Sequence, residues 1–202
     1  MLLKNLHKYD IQKIEKQVKI INRISKETYD FLNELLLWTK SQSGKLIFDY
    51  QDIEFTELIS NVIKRFQIKT DEKNIRIVLD ANITINTDAN FLKTIMRNLI
   101  SNAIKFSHHG GQINVYAKKN NTESIITVSD KGIGIEKDAI SKIWSFHDNF
   151  STNGTNNEQG TGFGLTLCKE LIEKQGGKIW IESKVGKGSD FKFTLPFKDV
   201  CD

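Results

Sequence analysis

Apolar residues fall three or four positions apart throughout residues 10–43. This spacing places them on one stripe of an α-helix, of the kind that packs in coiled coils and helical bundles. The stripe comprises Ile11, Ile14, Val18, Ile21, Ile24, Thr28, Phe31, Leu32, Leu35, Leu36 and Trp38. Ser43-Gly44 predicts the end of the helix. A helix of this length cannot bury its stripe alone, so the pattern predicts a partner helix, most simply from a second copy of the chain.

Beyond residue 45 the pattern alternates between helical and strand-like periods. Helical periodicity covers residues 55–69, 88–106, 136–143 and 165–175, and Asp88 is expected to cap the N-terminus of the second of these helices. Strand-like patterns cover residues 75–81, 83–87, 112–118, 123–129, 178–183 and 190–196, while residues 148–160 are polar, without a period, and predict a loop. This order predicts an α+β fold, a two-layer α/β sandwich in which helices cover one face of a mixed, mostly antiparallel sheet. The long bundle-type helix precedes it, so we expect a helical region at 1–44 and a second domain at 45–202.

Composition and charge argue against some classes of function, such as nucleic-acid binding. The chain has 202 residues and a net charge of +4, and the excess lies in residues 1–45, with nine Lys/Arg against five Asp/Glu, whereas residues 46–202 hold twenty of each. A nucleic-acid-binding domain carries a stronger basic footprint, so no nucleic-acid partner is expected. No apolar run reaches the ~18 residues of a membrane span. Cys168 and Cys201 show no paired spacing, which favours a reduced, intracellular setting.

The predicted helix 88–106 carries an unusual polar face within the stretch RNLISNAIKFS. Asn98, Asn102 and Lys105 are spaced four and three apart, so they lie on one side of the helix. An amide oxygen is a hard, neutral ligand that suits Mg²⁺, and a lysine one turn along neutralises phosphate charge. A solvent-facing helix side carrying the same residues is an equal alternative.

Two glycine motifs follow this helix in the sequence. In Asp130-Lys-Gly-Ile-Gly-Ile135, a strand-end carboxylate can accept a hydrogen bond from an exocyclic amine, and Gly132 and Gly134 permit close approach of backbone to a ligand. By itself this motif favours a plain turn. Gly160-Thr-Gly-Phe-Gly-Leu165 opens a helix with backbone N–H groups available to phosphate, although a flexible connector is an equal alternative.

Taken together and in order, these motifs supply metal, base and phosphate contacts for a magnesium-nucleotide. Over about residues 45–197 the chain resembles the catalytic, ATP-binding part of sensor histidine kinases, within the group that includes gyrase, Hsp90 and MutL. The resemblance implies ATP and Mg²⁺ as cofactors. It also implies that residues 1–44 are a partial dimerisation region, holding the second dimerisation helix without the phosphoacceptor helix.

The resemblance assigns roles by position. RNLISNAIKFS resembles the asparagine box, with Asn102 as the Mg²⁺ ligand, Lys105 as a phosphate contact, Asn98 beside them and Phe106 next to the nucleotide. DKGIGI resembles the first glycine box, with Asp130 on the adenine amino group. The remaining implied nucleotide contacts are Gly132, Gly134 and Ile135 of that box, Phe146 and Phe150 anchoring a lid at 148–160, Gly160, Thr161, Gly162, Gly164 and Leu165 of the second glycine box, and Ser189 of a weaker Gly186-Lys-Gly-Ser189 box.

Two features of the chain depart from its relatives. The position of Asn98 carries a water-activating glutamate in the ATP-hydrolysing relatives, and an amide cannot act as a general base. None of His7, His108, His109 and His147 stands in the family's His-acid-x-x-x-Pro context, so the phosphoacceptor histidine is expected outside this chain. We therefore expect a kinase core that transfers phosphate to another nucleophile and does not autophosphorylate.

The expected partners follow from the same resemblance. They are ATP and ADP, a second copy of the parent protein through the N-terminal helix, and a response regulator receiver domain in two-component signalling. A cytoplasmic location is expected, with a membrane involved only through other parts of a longer parent. Two alternatives remain: an ATPase clamp of the gyrase–Hsp90–MutL type, and a degenerate nucleotide-binding module that serves only for dimerisation.

Overall fold

The computed structural model describes residues 10–144, 154–156, 158 and 162–197. The chain divides into two compact units, Met1–Leu46 and Ile47–Asp202. Across the described residues, every helix is too short or too polar to cross a lipid bilayer.

In the described part of the first unit, residues 10–46, the chain forms the helix α1, which spans Ile11–Gln42 and matches the helix predicted for residues 10–43. Ser43 is its C-terminal cap, and Gly44 follows with a left-handed backbone of φ +68°. Half or more of the side-chain surface is exposed at several residues of the predicted stripe, namely Ile11, Val18, Ile21, Ile24, Leu32 and Leu36. The stripe therefore carries apolar surface that a partner helix would cover.

The second unit is built on a five-stranded sheet in the order β2-β4-β5-β7-β6. Its strands are β2 (Arg76–Asp80), β4 (Gln112–Lys119), β5 (Glu123–Asp130), β6 (Ile179–Lys184) and β7 (Gly188–Pro196). β2 runs parallel to β4, and the other three pairs are antiparallel. The sheet is thus mixed and mostly antiparallel, which confirms the predicted fold class.

Helices provide the second layer of this sandwich. They are α2 (Phe55–Lys64), α3 (Gln67–Lys73), α4 (Ala89–Phe106), α5 (Lys137–Ile140), followed by a 3₁₀ turn at Lys142–Trp144, and α6 (Gly164–Lys174). α4 packs against α2, α6 and β5. The carboxylate of Asp88 caps α4 by accepting from the backbone N–H groups of Asn90 and Phe91 at 2.8 and 3.1 Å, as predicted for this position.

Three details differ from the prediction. β1 (Tyr50–Glu54) was not predicted, because YQDIE has no apolar alternation, and only Ile53 is buried. β3 (Thr84–Asp88) pairs with β1 in a separate two-stranded sheet. The helix predicted for residues 55–69 is broken into α2 and α3 by a turn at Arg65 and Phe66, and the side chain of Phe66 is buried.

Candidate functional site

α4 carries the predicted polar face along the edge of its buried stripe. Asn98, Asn102 and Lys105 are all partly exposed, whereas Leu99 and Ala103 between them are buried. The amide of Asn98 donates to the carbonyl of Thr94 at 3.2 Å, one turn back along the helix. The asparagines therefore lie at the border of the core and are not part of it.

The N-terminus of α6 lies directly against Asn98. A β-carbon at Gly164 would stand only 2.5 Å from the Oδ1 atom of Asn98, so a larger residue here would displace the Asn98 amide. Gly164 and Leu165 are the first residues of α6, and Gly162 precedes them with φ +70°. The second predicted glycine motif thus brings a helix N-terminus, with its unpaired N–H groups, beside the asparagine-bearing face of α4.

Lys105 lies one turn beyond Asn102 on α4. Its Nζ atom is 4.7 Å from the centroid of the Phe106 ring, within the range of a cation–π contact. Burial lowers the pKa of Lys105, and the carboxylate of Glu158 acts in the opposite direction. Across the described residues the amide of Asn102 makes no hydrogen bond, so its oxygen is available to a ligand.

Asp130, the last residue of β5, is a buried carboxylate only 5% exposed. Its Oδ1 atom accepts from the backbone N–H of Gly132 at 2.8 Å. Burial raises the pKa of Asp130 to about 6, with a further rise from Asp190, while the backbone N–H groups of Gly132 and Ser189 oppose the increase. A buried acceptor held in this way is suited to an N–H donor of a planar ligand.

The segment after β5 folds closely around the end of α4. The backbone N–H of Ile133 donates to the carbonyl of Phe106 at 3.2 Å. A β-carbon at Gly132 would overlap that same carbonyl, and one at Gly134, where φ is +71°, would overlap the carbonyl of Lys184. The glycines of this motif are therefore required by backbone contacts, which join the asparagine helix to the Asp130 strand end.

A serine pair lies on β6 and β7, where Ser189 is the cross-strand partner of Asp130. The Oγ atoms of Ser183 and Ser189 are 3.0 Å apart, and Ser183 accepts from the backbone N–H of Ile135 at 2.8 Å. Gly188, at φ +100°, brings β7 so close that a β-carbon would overlap the carbonyl of Asp130. Ser189 was predicted, but Ser183 was not; the only signal was its position opposite Ser189 across the β6–β7 hairpin.

Some predicted positions cannot be compared with the structure. Phe146, Phe150, Gly160 and Thr161 lie outside the described residues, as do His7 and His147. The predicted lid at 148–160 is described only at residues 154–156 and 158. Within that part, Glu158 pairs with Lys73, a residue that the sequence pattern did not indicate as functional.

A divalent cation would find few anionic protein ligands here. Within the described part of the chain, no cluster of three or more His, Cys, Asp or Glu side chains could hold a metal. The amide oxygen of Asn102 fits an ion of the Mg²⁺ type, which takes one or two protein ligands and completes its shell with water and substrate phosphates. The donor set therefore suits a metal that arrives with a nucleotide.

Comparison with known proteins agrees with this geometry. Residues 87–199, more than half of the chain, match the family described as histidine kinase-, DNA gyrase B- and HSP90-like ATPases. The chain belongs to this family. Its curated relatives include sensor histidine kinases: it is 33% identical over 172 residues to sensor histidine kinase WalK of Bacillus subtilis, and 32% identical over 176 residues to hybrid signal transduction histidine kinase B of Dictyostelium discoideum.

Solved structures point to the same class. A nucleotide-free catalytic domain of histidine kinase ThkA is 30% identical, with a TM-score of 0.64, over 73% of this chain and 95% of that domain. Histidine kinase AdeS of Acinetobacter baumannii, at 18% identity, shares the fold over 98% of this chain and 92% of its own, with a TM-score of 0.72. The chain spans about a quarter of WalK, at 28%, and 9% of the Dictyostelium kinase, while each match covers 83% of this chain.

Proposed function

We propose that this chain is the ATP-binding catalytic core of a sensor histidine kinase in two-component signal transduction. It positions Mg-ATP for transfer of the γ-phosphoryl group to a histidine that lies outside the chain. The single observation that carries the proposal is the buried carboxylate of Asp130, which is joined through Gly132 and Phe106 to the asparagine helix. Family membership over residues 87–199 supports it.

The base-binding end of the site would form around Asp130. In its ionised form the carboxylate accepts a hydrogen bond from the adenine amino group, which guanine does not present in the same place. Ser189 and Ser183 hold the neighbouring strand end. The backbone N–H of Ile133, which follows the Asp130 strand end, donates to the carbonyl of Phe106. A purine is thus recognised by one charged acceptor with glycine backbone around it.

The phosphate-binding end would form between α4 and the start of α6. Asn102 would contribute its amide oxygen to Mg²⁺, and Lys105 would neutralise phosphate charge. The N-terminal N–H groups of α6, beginning at Gly164, favour an anion. Because phosphoryl transfer depends mainly on positioning and charge neutralisation, these groups are sufficient to prepare the nucleotide.

The amide at Asn98 favours transfer over hydrolysis. Its nitrogen donates to Thr94 and its oxygen lies against Gly164, so the side chain is held in place, and an amide cannot take a proton from water. A nucleotide bound here would await another nucleophile. That nucleophile would be the histidine of the parent protein, which would pair with a second copy through α1. A response regulator receiver domain would be the next acceptor of the phosphoryl group.

The response-regulator partnership has structural support from a relative. Histidine kinase ThkA has been solved in complex with response regulator TrrA, and that kinase shares the fold of this chain with a TM-score of 0.71 at 24% identity. We propose that the parent of this chain has a partner of the same class, and that the chain acts in the cytoplasm.

Incubation with γ-labelled ATP tests the proposed reaction. We expect slow release of phosphate and no label on the chain itself, because the phosphoacceptor lies elsewhere. Acid-labile phosphohistidine on the chain would contradict the account of the missing acceptor. Brisk steady-state hydrolysis would favour an ATPase clamp.

A further inference from the structure

Lys73, the last residue of α3, is a lysine in an unusual position. Only 4% of the residue is exposed, which is rare for lysine unless its ammonium group is paired. The Nζ atom contacts four acceptors: the carbonyls of Ile104 and Lys105 at 3.0 Å each, the hydroxyl of Thr155 at 2.8 Å and the carboxylate of Glu158 at 2.6 Å. Three N–H donors thus serve four oxygens from two separate segments.

The first of these segments is the C-terminal turn of α4. Carbonyls at a helix C-terminus have no intrahelical partner and carry the negative end of the helix dipole, so a buried cation there is favourable. Lys73 satisfies the carbonyl of Lys105 itself. The lysine that we propose as a phosphate contact is therefore held through its own backbone.

The second segment is the Glu158 turn, which we define as Gly154, Thr155, Asn156 and Glu158. The turn closes on itself, because Gly154 donates to the carbonyl of Glu158 at 2.9 Å and the N–H of Asn156 donates to its carboxylate at 2.8 Å. Burial alone would raise the pKa of Glu158, but the hydrogen bonds from Lys73 and Asn156 and the charge of Lys73 hold it below its ordinary value. The hydrogen bonds from Lys73 and Asn156 thus hold the Glu158 carboxylate in its ionised form within the turn.

The Glu158 turn lies directly on Lys105. The backbone N–H of Thr155 donates to the carbonyl of Lys105 at 3.1 Å, and the Thr155 hydroxyl lies 2.8 Å from the carbonyl of Ser107. A β-carbon at Gly154 would stand 2.5 Å from the Cγ atom of Lys105, so the turn covers the stem of this side chain. Backbone and stem of Lys105 are both restrained, and the restraint depends on the bonds that Lys73 makes.

We infer that Lys73 is a positioning residue, which clamps the Glu158 turn onto the end of α4 and so directs Lys105 toward the phosphates of the nucleotide. This inference rests on the proposed function. Lys73 itself does not contact the nucleotide. Its loss is therefore expected to weaken the part of the binding that depends on phosphate and to leave recognition of the base unchanged.

Calorimetric titration with two ligands, a non-hydrolysable ATP analogue with Mg²⁺ and adenosine alone, tests the inference. In Lys73→Met, we expect the analogue to bind about tenfold more weakly and adenosine to bind within about twofold of wild type, since bonds to a charged group are lost at one end of the site only. Lys118→Met, which removes a solvent-exposed lysine of β4, is the control for the loss of one positive charge.

Thr155→Val separates positioning from charge, because it removes the bridging hydroxyl without changing any charge. We expect about threefold weaker binding of the analogue, unchanged adenosine binding, and faster hydrogen exchange at the Thr155 amide. This variant also carries the test if Lys73→Met does not fold. Wild-type affinity for the analogue in Thr155→Val, with or without an effect of Lys73→Met, would overturn the inference. Failure of the wild-type chain to bind either ligand would instead overturn the proposed function.

Discussion

At the residue scale, the site depends on polar side chains at the border of the core. Asp130 is the clearest case, because a carboxylate that is 5% exposed is retained at a strand end with backbone N–H partners. Such a group lowers the stability of the fold when it is ionised, which is typical of a functional site. Its raised pKa makes that cost measurable.

Asp130 predicts a specific dependence of stability on pH. Its pKa is about 6 in the folded chain against an ordinary 3.8, so between these values the folded state holds a proton that the unfolded state has lost. The free energy of unfolding therefore falls as pH rises from about 4 to 6, by at most about 1.4 kcal/mol per pH unit from this group. Urea denaturation across this range should show a shallower fall in Asp130→Asn than in wild type. Parallel curves for the two proteins would contradict this assignment.

Asn102→Ala tests the proposed metal ligand. Removal of the amide oxygen should weaken binding of the ATP analogue in the presence of Mg²⁺ by about tenfold and leave binding of adenosine unchanged. Circular dichroism is expected to match that of wild type, because Asn102 is partly exposed and no hydrogen bond to its amide exists among the described residues. Equal losses for both ligands would mean that Asn102 is structural.

At the element scale, the sequence predicted what depends on local pattern. The capped helix α4 followed from Asp88 and a regular apolar stripe, and the glycine motifs appeared where elements meet. β1 could not be predicted, because it depends on pairing with β3. The break between α2 and α3 could not be predicted either, because it depends on the burial of Phe66 in the folded chain.

The same limit explains the site residues that the sequence did not reveal. Ser183 acts through its register with Ser189, and Lys73 through contacts with residues more than thirty positions away. In sequence both look like ordinary surface residues. Their chemistry becomes visible only when the sheet register and the packing of α3 against the end of α4 are known.

The Gly134–Lys184 approach can be tested with a matched pair of glycines. Gly134 and Gly186 have similar backbone angles, φ +71° and +73°, but a β-carbon at Gly134 would overlap the Lys184 carbonyl, whereas one at Gly186 meets open space. Both alanine variants incur left-handed strain of about 1 kcal/mol. We expect Gly134→Ala to lose at least about 1 kcal/mol more, as measured by urea denaturation. Equal losses would show that the close approach is not required.

At the scale of the whole molecule, the described residues of the proposed nucleotide site belong to one unit. Every described residue of the site, from Asn98 to Ser189, lies within Ile47–Asp202, and α1 belongs to the other unit. The exposed apolar stripe of α1 is the surface that we propose for association. The proposed binding of nucleotide and the proposed pairing of helices thus involve different parts of the chain.

Removal of residues 1–46 tests this division. The remaining chain, 47–202, should fold and bind the ATP analogue with an affinity within about twofold of the full chain, since it retains every described contact of the site. Calorimetry on the two proteins gives the comparison. A loss of binding in a well-folded truncated protein would assign part of the site to the first unit.

The most direct test of the central claim is a calorimetric titration of the intact chain with a non-hydrolysable ATP analogue, with Mg²⁺ and then with excess chelator. We expect saturable binding at one site per chain, weakened by removal of the metal, and much weaker binding of the matching GTP analogue. A folded sample that gives no heat beyond dilution, or binds both nucleotides equally without regard to the metal, would contradict it.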